Sequence, residues 1–294
     1  TLPGATLRTH NPVYYRGPME VMASNHDTAA KTLLGGTTLT AGQTPAVDLA
    51  DALDLIFHHP NVGPFIGRQL IQFLVTSNPS PAYVSRVSTV FADNGSGVRG
   101  DMQAVVRAIL LDPEARGASN TDPAFGKLRE PALLVAGLAR ALGVQSDGVF
   151  LRNASVAMGQ DVFQAPSVFN FYPPNAPLIG TSLVSPPSVL LDATTFMTRS
   201  NVVYTLLFRT IAADPTVAGS TGTSAPLTDL ATSAADPGAL ADRLDALLLH
   251  RTMSAAMRSA VLDAVNAVPA SDAVGRVRAA AYVIGTSAQY QVER

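Results

Sequence analysis

A chain of 294 residues with a formal net charge of −2, 14% charged residues, 47% apolar residues and no cysteine has the length for one large domain or two smaller ones with a sizeable core. The missing cysteine excludes disulfides, thiolate metal sites and a cysteine nucleophile, and near-neutral charge without a basic run argues against a phosphate-backbone partner. No apolar stretch approaches the roughly eighteen residues of a membrane helix; so little charge calls instead for a Ser/Thr/Ala-rich surface, or for apolar surface hidden against something else.

Residues 1–42 carry no sustained helical period. Val13-Tyr14-Tyr15 and residues 19–23 read as short strands of a β-hairpin between Gly and Pro punctuation. Asn25-His26-Asp27-Thr28 reads as a turn or cap, with the Asp27 carboxylate answered by Lys31, or else as a His/Asp site facing a groove. Thr44 and Pro45 then open a helix whose Val47, Leu49, Ala50, Leu53, Ile56 and Phe57 form one apolar stripe. It stops at His58-His59-Pro60, because the residue before a proline is pushed out of the helical region. A second helix carries Phe65, Ile66, Gln69, Leu70, Phe73 and Leu74 on one side. Ser80-Pro81 starts a third, with Tyr83, Val84, Val87, Val90 and Phe91. Corners this short predict three rods packed on one another as the helical core.

Asp101 starts a fourth helix through Val105 and Ile109, ended at Asp112-Pro113. Lys127, Arg129 and Glu130 precede a fifth, with Leu133, Leu134, Leu138 and Leu142. In a chain this poor in charge, those three side chains are either an ion-pair network pinning the helix start or a partly buried cluster lining a cavity. A short helix at 150–158 leads into an irregular, proline-rich stretch at 160–187. Its Phe163, Phe169, Phe171 and Tyr172 either plug the core from one end or stack on a sugar or peptide whose polar edges meet Gln160, Gln164, Asn170 and Asn175. A long helix is predicted at 189–213, then a Gly/Ser/Thr linker at 214–225. Three helices follow at 237–250, 254–268 and 272–287, each starting at a side-chain cap.

The predicted fold is mainly α: a multi-helix orthogonal bundle with long irregular loops and a short β-hairpin near the N-terminus. It divides into a main helical domain (1–213) and a C-terminal helical array (226–294). No G-x-S-x-G, H-E-x-x-H, Walker loop or G-x-G-x-x-G occurs, so the usual hydrolase, zincin and nucleotide readings have no local support. A metal site would have to gather His26, Asp27 and His58 or His59 from separate segments, whereas imidazoles at a helix C-terminus already favour its dipole. Arg68 either clamps an acidic group or pairs with Asp51 or Asp54 of the preceding helix. Lys31 and Lys127 are the only lysines among twenty lysines and arginines, which points to sites wanting a compact ammonium. The catalytic candidates are therefore His26, Asp27, His58 and Lys127. The ligand-binding candidates are Arg68, Gln160, Phe169, Asn170 and Tyr172, and no cofactor is specified.

Several stretches carry a resemblance. HHPNVGPFIGRQLIQFLVTSNPSPAYVSRVSTVF (58–91), RGDMQAVVRAILLDPEAR (99–116), KLREP (127–131), MGQDVFQAPSV (158–168) and the terminal SAQYQVER resemble the bacterial family catalogued as domain of unknown function 1800. NHDTAAKTLLG (25–35) is similar to its HD-x-G-x-K-x-[FL]-L-G element, with Ala29 where the family usually has glycine. The resemblance implies a mainly helical, exported (secreted or periplasmic) protein, often encoded beside a sulfatase-like partner family. A Trp-x-Asn-His-Phe element and a Glu-rich element of the family's upstream half are not found here, so the expectation is the carboxy-terminal part of a longer protein.

Two functions fit these residues. One is an exported helical binding or assembly module that works with an upstream half or a partner chain and takes a polymer or peptide ligand. The other is a hydrolase or metal-assisted enzyme whose site is shared with that upstream half.

Overall fold

The computed structural model describes residues 21–117, 122, 124–168 and 170–294. The strand expected at 13–15 and the candidate Phe169 lie outside the described residues. The chain is mainly α, with three two-stranded antiparallel pairs among the described residues. It forms two compact units, Thr1–Ile66 and Gly67–Arg294.

In the first unit, β1 (Lys31–Thr32) and β2 (Thr38–Leu39) pair as a hairpin. It lies C-terminal to the hairpin expected at 13–23, whose residues 13–20 are outside the described residues. Ala23–Asn25 is a 3-10 turn, and the strands turn over Gly35 and Gly36, whose φ values of 69° and 80° suit glycine and strain other residues. α1 (Pro45–His58) has the predicted limits: the Thr44 hydroxyl accepts from the Val47 amide, and His59 closes it. Its apolar stripe, however, faces out. Val47, Leu49, Leu53, Ile56 and Phe57 are exposed, and the buried residue of the helix is Asp48. Polar contacts fix this rotation, since Asp48 pairs with His26 and Lys31, and Asp51 accepts from Gln43 at 2.8 Å.

The division between units falls within α2 (Val62–Leu74). Its predicted inner side also corrects: Phe65, Phe73 and Leu74 are exposed, while Gly67 and Ile71 are buried. A Cβ on Gly67 would sit 3.1 Å from Val87 Cγ1, so α2 approaches α3 (Pro81–Ala92) through a glycine that hydropathy does not score. α3 itself buries Tyr83, Val87 and Phe91. Its Ser80 cap also donates to Glu114 Oε2 at 2.6 Å, and the Tyr83 hydroxyl donates to the Ile109 carbonyl of α4 (Met102–Leu111) at 2.7 Å. Arg86 then grips Asp112, at the start of α5 (Pro113–Arg116), with two 2.7 Å bonds.

The main core of the second unit is further along the chain. β3 (Lys127–Leu128) leads into α6 (Pro131–Ala141), followed by β4 (Gln145–Ser146), α7 (Val149–Ala157) and α8 (Ala193–Phe208). β5 (Thr223–Ser224), α9 (Thr228–Ala231), α10 (Pro237–Leu244), α11 (Ala255–Asn266), α12 (Ala273–Thr286), α13 (Ala288–Gln291) and β6 (Val292–Glu293) complete it. Leu134, Leu138, Leu206, Leu240, Leu244 and Val277 are almost wholly buried at its centre. Each such side chain contributes roughly 1.5–3 kcal/mol by leaving water.

Two boundaries differ from expectation for local reasons. α8 begins at Ala193, because Asp192 and Thr195 form a reciprocal capping box that outcompetes a start at Ser188. The stretch read as a linker at 214–225 is anchored. One Asp147 oxygen accepts from the Ser220 hydroxyl and from the amides of Thr221 and Gly222, and β5 pairs with β4. The Ser220 hydroxyl first, then those amides, hold the Asp147 carboxyl far below the usual range.

Candidate functional site

His26 is drawn to α1. Its Nε2 lies 2.7 Å from Asp48 Oδ2, and the Lys31 ammonium reaches the same oxygen at 2.8 Å. Lys31 therefore answers Asp48 and not Asp27, whose side chain is exposed and accepts only the Ala29 amide at 2.9 Å. Lys31 first, and His26 after it, hold the Asp48 carboxyl below its ordinary value. Its other oxygen, Oδ1, is buried without a hydrogen bond. The trio forms an internal ionic anchor at the first turn of α1.

His58 and His59 are helix-end residues. His58 Nδ1 donates to the Asp54 carbonyl at 2.9 Å, and His59 Nδ1 accepts from the Asn61 amide at 3.2 Å. Among the described residues, no group of three or more His, Cys, Asp or Glu side chains is placed to hold a metal ion. Arg68 is exposed on α2, and within the first unit Asp51 accepts from Gln43.

Lys127, in the second unit, is 5% exposed. It donates to the Phe73 carbonyl and lies 3.5 Å from Glu293 of β6. The charges at 127–130 thus do not pair with one another: Lys127 and Arg129 meet the C-terminal residues 290–293, and Glu130 meets Gln160. Arg129 stacks its guanidinium 4.4 Å from the Tyr290 ring centre. Glu130 takes the amide of Gln160, whose Oε1 accepts from the Ala132 amide at 2.9 Å. Gln160 is therefore a buried cap on α6, supplying the oxygen that Glu130 does not.

Asn170 and Tyr172 do share a hollow. A cleft of about 120 Å³ is lined by Gln69, Phe73, Asn170, Tyr172, Pro186 and Pro187, among others. The rings of Phe73 and Tyr172 are 6.5 Å apart. Gln72 donates to the carbonyls of Ser77 and Pro174, and Asn78 exchanges two 2.9 Å bonds with the backbone of Val184. These two amides staple the proline-rich stretch to α2 and the turn after it. The buried Tyr172 hydroxyl faces Glu130 without meeting hydrogen-bond geometry; burial first and that carboxylate second push its pKa above the ordinary range. By contrast, the side-chain amides of Gln69 and Asn170 make no hydrogen bond among the described residues. On the same stretch Phe163, Val168 and Ile179 are 96–97% exposed.

A second feature was not foreseen from sequence. The helix predicted to run to residue 250 changes after Leu244 into a π-helical turn, Asp245–Leu249. His250 and Arg251 follow with φ of 54° and 67°, a conformation that costs non-glycine residues on the order of 1–3 kcal/mol each. This turn walls a cavity of about 620 Å³, whose lining includes Arg129, Leu249, His250, Ser254, Val292 and Arg294. Arg199, on α8, is fully buried behind Arg129 and donates to its carbonyl at 3.0 Å. Its Nε and Nη2 make no hydrogen bond among the described residues, and burial pushes its pKa down to about 10. The signal available in sequence was only the unusual density of charge in Lys127-Leu128-Arg129-Glu130. Nothing in the helical period of residues 237–250 marks the π turn.

The family described as "Protein of unknown function (DUF1800)" matches residues 2–292. No curated protein and no solved structure matches.

Proposed function

Because the chain belongs to the DUF1800 family, whose description carries no activity, we propose a role from its own side chains: a helical binding module that holds an extended peptide segment of a partner protein. The carrying observation is the cleft at Phe73 and Tyr172, where two rings and two prolines stand beside the side-chain amides of Gln69 and Asn170, which make no hydrogen bond among the described residues. A hollow of about 120 Å³ is small against the roughly 300–1,000 Å³ that encloses a whole drug-sized ligand. It suits one apolar side chain of a longer chain, with the amides meeting the flanking peptide groups. Aromatic and proline walls are the usual setting for extended, proline-containing peptides. The exposed Phe163, Val168 and Ile179 add apolar area of the kind that partner binding covers.

The reading includes an extracytoplasmic setting and a partner chain, both of which follow from the family resemblance. Its test is direct. A library of extended peptides and a panel of soluble polysaccharides are presented to the immobilised full chain. Peptides with an apolar or proline anchor should be retained, and the double substitution Gln69→Ala with Asn170→Gly should weaken them by about tenfold, an energy near 1.4 kcal/mol. Glycine keeps the φ of 69° at residue 170. Retention of polysaccharides in place of peptides, or peptide binding indifferent to both changes, would overturn the assignment.

A further inference from the structure

We propose that the 620 Å³ cavity beside the π turn is a binding site for a small organic oxyanion, a carboxylate or phosphate group carried on an apolar body. It shares no lining residue with the Tyr172 cleft and stands independently of the peptide-binding role. The volume falls within the usual range for small-molecule sites.

The charges that line it are of one sign. Arg129 and Arg294 face the cavity together with His250, and neither arginine has an ion-pair partner among the described residues. Two acids close to the lining residues in sequence are engaged: Glu293 lies 3.5 Å from the Lys127 ammonium, and Asp245 accepts the Met253 amide at 3.0 Å. Arg129 is also held in place before any ligand arrives. Its amide donates to the Gln291 carbonyl at 2.8 Å, its carbonyl accepts from Arg199, and its guanidinium carbon lies 4.4 Å from the centre of the Tyr290 ring. Such a planar fork, fixed at its base, meets an oxyanion through two parallel bonds.

The donors left over behind it point the same way. Arg129 Nε, Arg199 Nε and Nη2, and Gln291 Nε2 are buried and make no hydrogen bond among the described residues, so this end of the unit holds an excess of unpaired donors, and Arg199 has no ion pair among those residues. A negative group at Arg129 would offset that excess. The rim is set by Gln289, which accepts from the Ser254 amide at 3.3 Å and donates to the Thr252 carbonyl. Leu248, Leu249 and Val292 supply the apolar wall, so a bare inorganic ion would leave most of the space unused.

The probes are phenyl phosphate, benzoate and the neutral benzyl alcohol, titrated calorimetrically into the full chain. At least one anion should bind, with benzyl alcohol weaker by about tenfold or more, and Arg129→Gln should weaken the anion by at least about tenfold. A phosphate preference assigns the site to phosphate esters, and a benzoate preference to carboxylates. Arg251→Gln, just past the π turn and outside the lining, should leave affinity unchanged. Should Arg129→Gln fail to fold, Arg294→Gln, at an exposed position, tests the same charge requirement. No heat from either anion, equal binding of benzyl alcohol, or an affinity untouched by both lining substitutions would overturn the proposal.

Discussion

Asp48 shows how one carboxylate can set the orientation of a helix. With His26 and Lys31 both on its Oδ2, it stands 7% exposed on a helix whose Leu49 and Leu53 face water. Because the folded pKa is held below the ordinary value of about 4, first by Lys31, its contribution to stability is present above that value and is lost as pH falls through the folded one. Asp48→Asn should therefore lower the thermal midpoint at pH 7, and the gap from the unaltered chain should close below about pH 4. Paired melts across pH check this; a gap that persists into acid would mean that the lost contact is not ionic. The chain's order suggested the wrong partner for Lys31. Asp27 is near in sequence, whereas Asp48 is brought near by folding, and local spacing cannot rank a neighbour that another element delivers. Gln160 misled in the same way: an amide beside aromatics suggests a ligand contact, and only the position of α6 reveals the orphan amide of Ala132 that it caps.

Helix starts were legible at most side-chain caps, with Asp192 of α8 an exception. Thr44, Ser80, Asp101, Asp236, Ser254 and Asp272 each accept the amides that the sequence pattern assigns to them. Helix faces were less so, because period identifies an apolar side without saying which side meets a neighbour. α2 makes the point. Its phenylalanines point outward, and its contact with α3 runs over Gly67. Gly67→Ala should be close to neutral, since the 3.1 Å approach to Val87 asks for a small shift while alanine gains up to about 1 kcal/mol in helix propensity. Gly67→Leu should force the pair apart and cost roughly 1–3 kcal/mol. Urea midpoints at constant m-value distinguish the two. If leucine is as mild as alanine, the close packing of these helices is not what fixes their spacing.

At the scale of the whole molecule, apolar residues are spread along the chain but not evenly buried. Helical periodicity gives Leu53 of α1 and Leu138 of α6 the same reading, an inward residue on an amphipathic rod. In the folded chain Leu53 is 56% exposed and Leu138 is 1% exposed. The difference arises because the helices α6, α8, α10, α11 and α12 supply mutually complementary leucine, valine and alanine faces, whereas α1 is held by its polar side. Low charge was the one global clue that some apolar surface would be left showing, and it could not say where. Stability should follow burial and not hydropathy. Leu138→Ala should cost about 2–5 kcal/mol through lost contacts and the cavity left behind. Leu53→Gln should change stability by no more than about 0.5 kcal/mol, as exposed positions usually do, while lowering any self-association of the purified chain in sedimentation. Equal losses at the two positions in denaturant titrations would mean that the α1 stripe is part of the core, and that the packing described for the second unit is not what carries the stability of the fold.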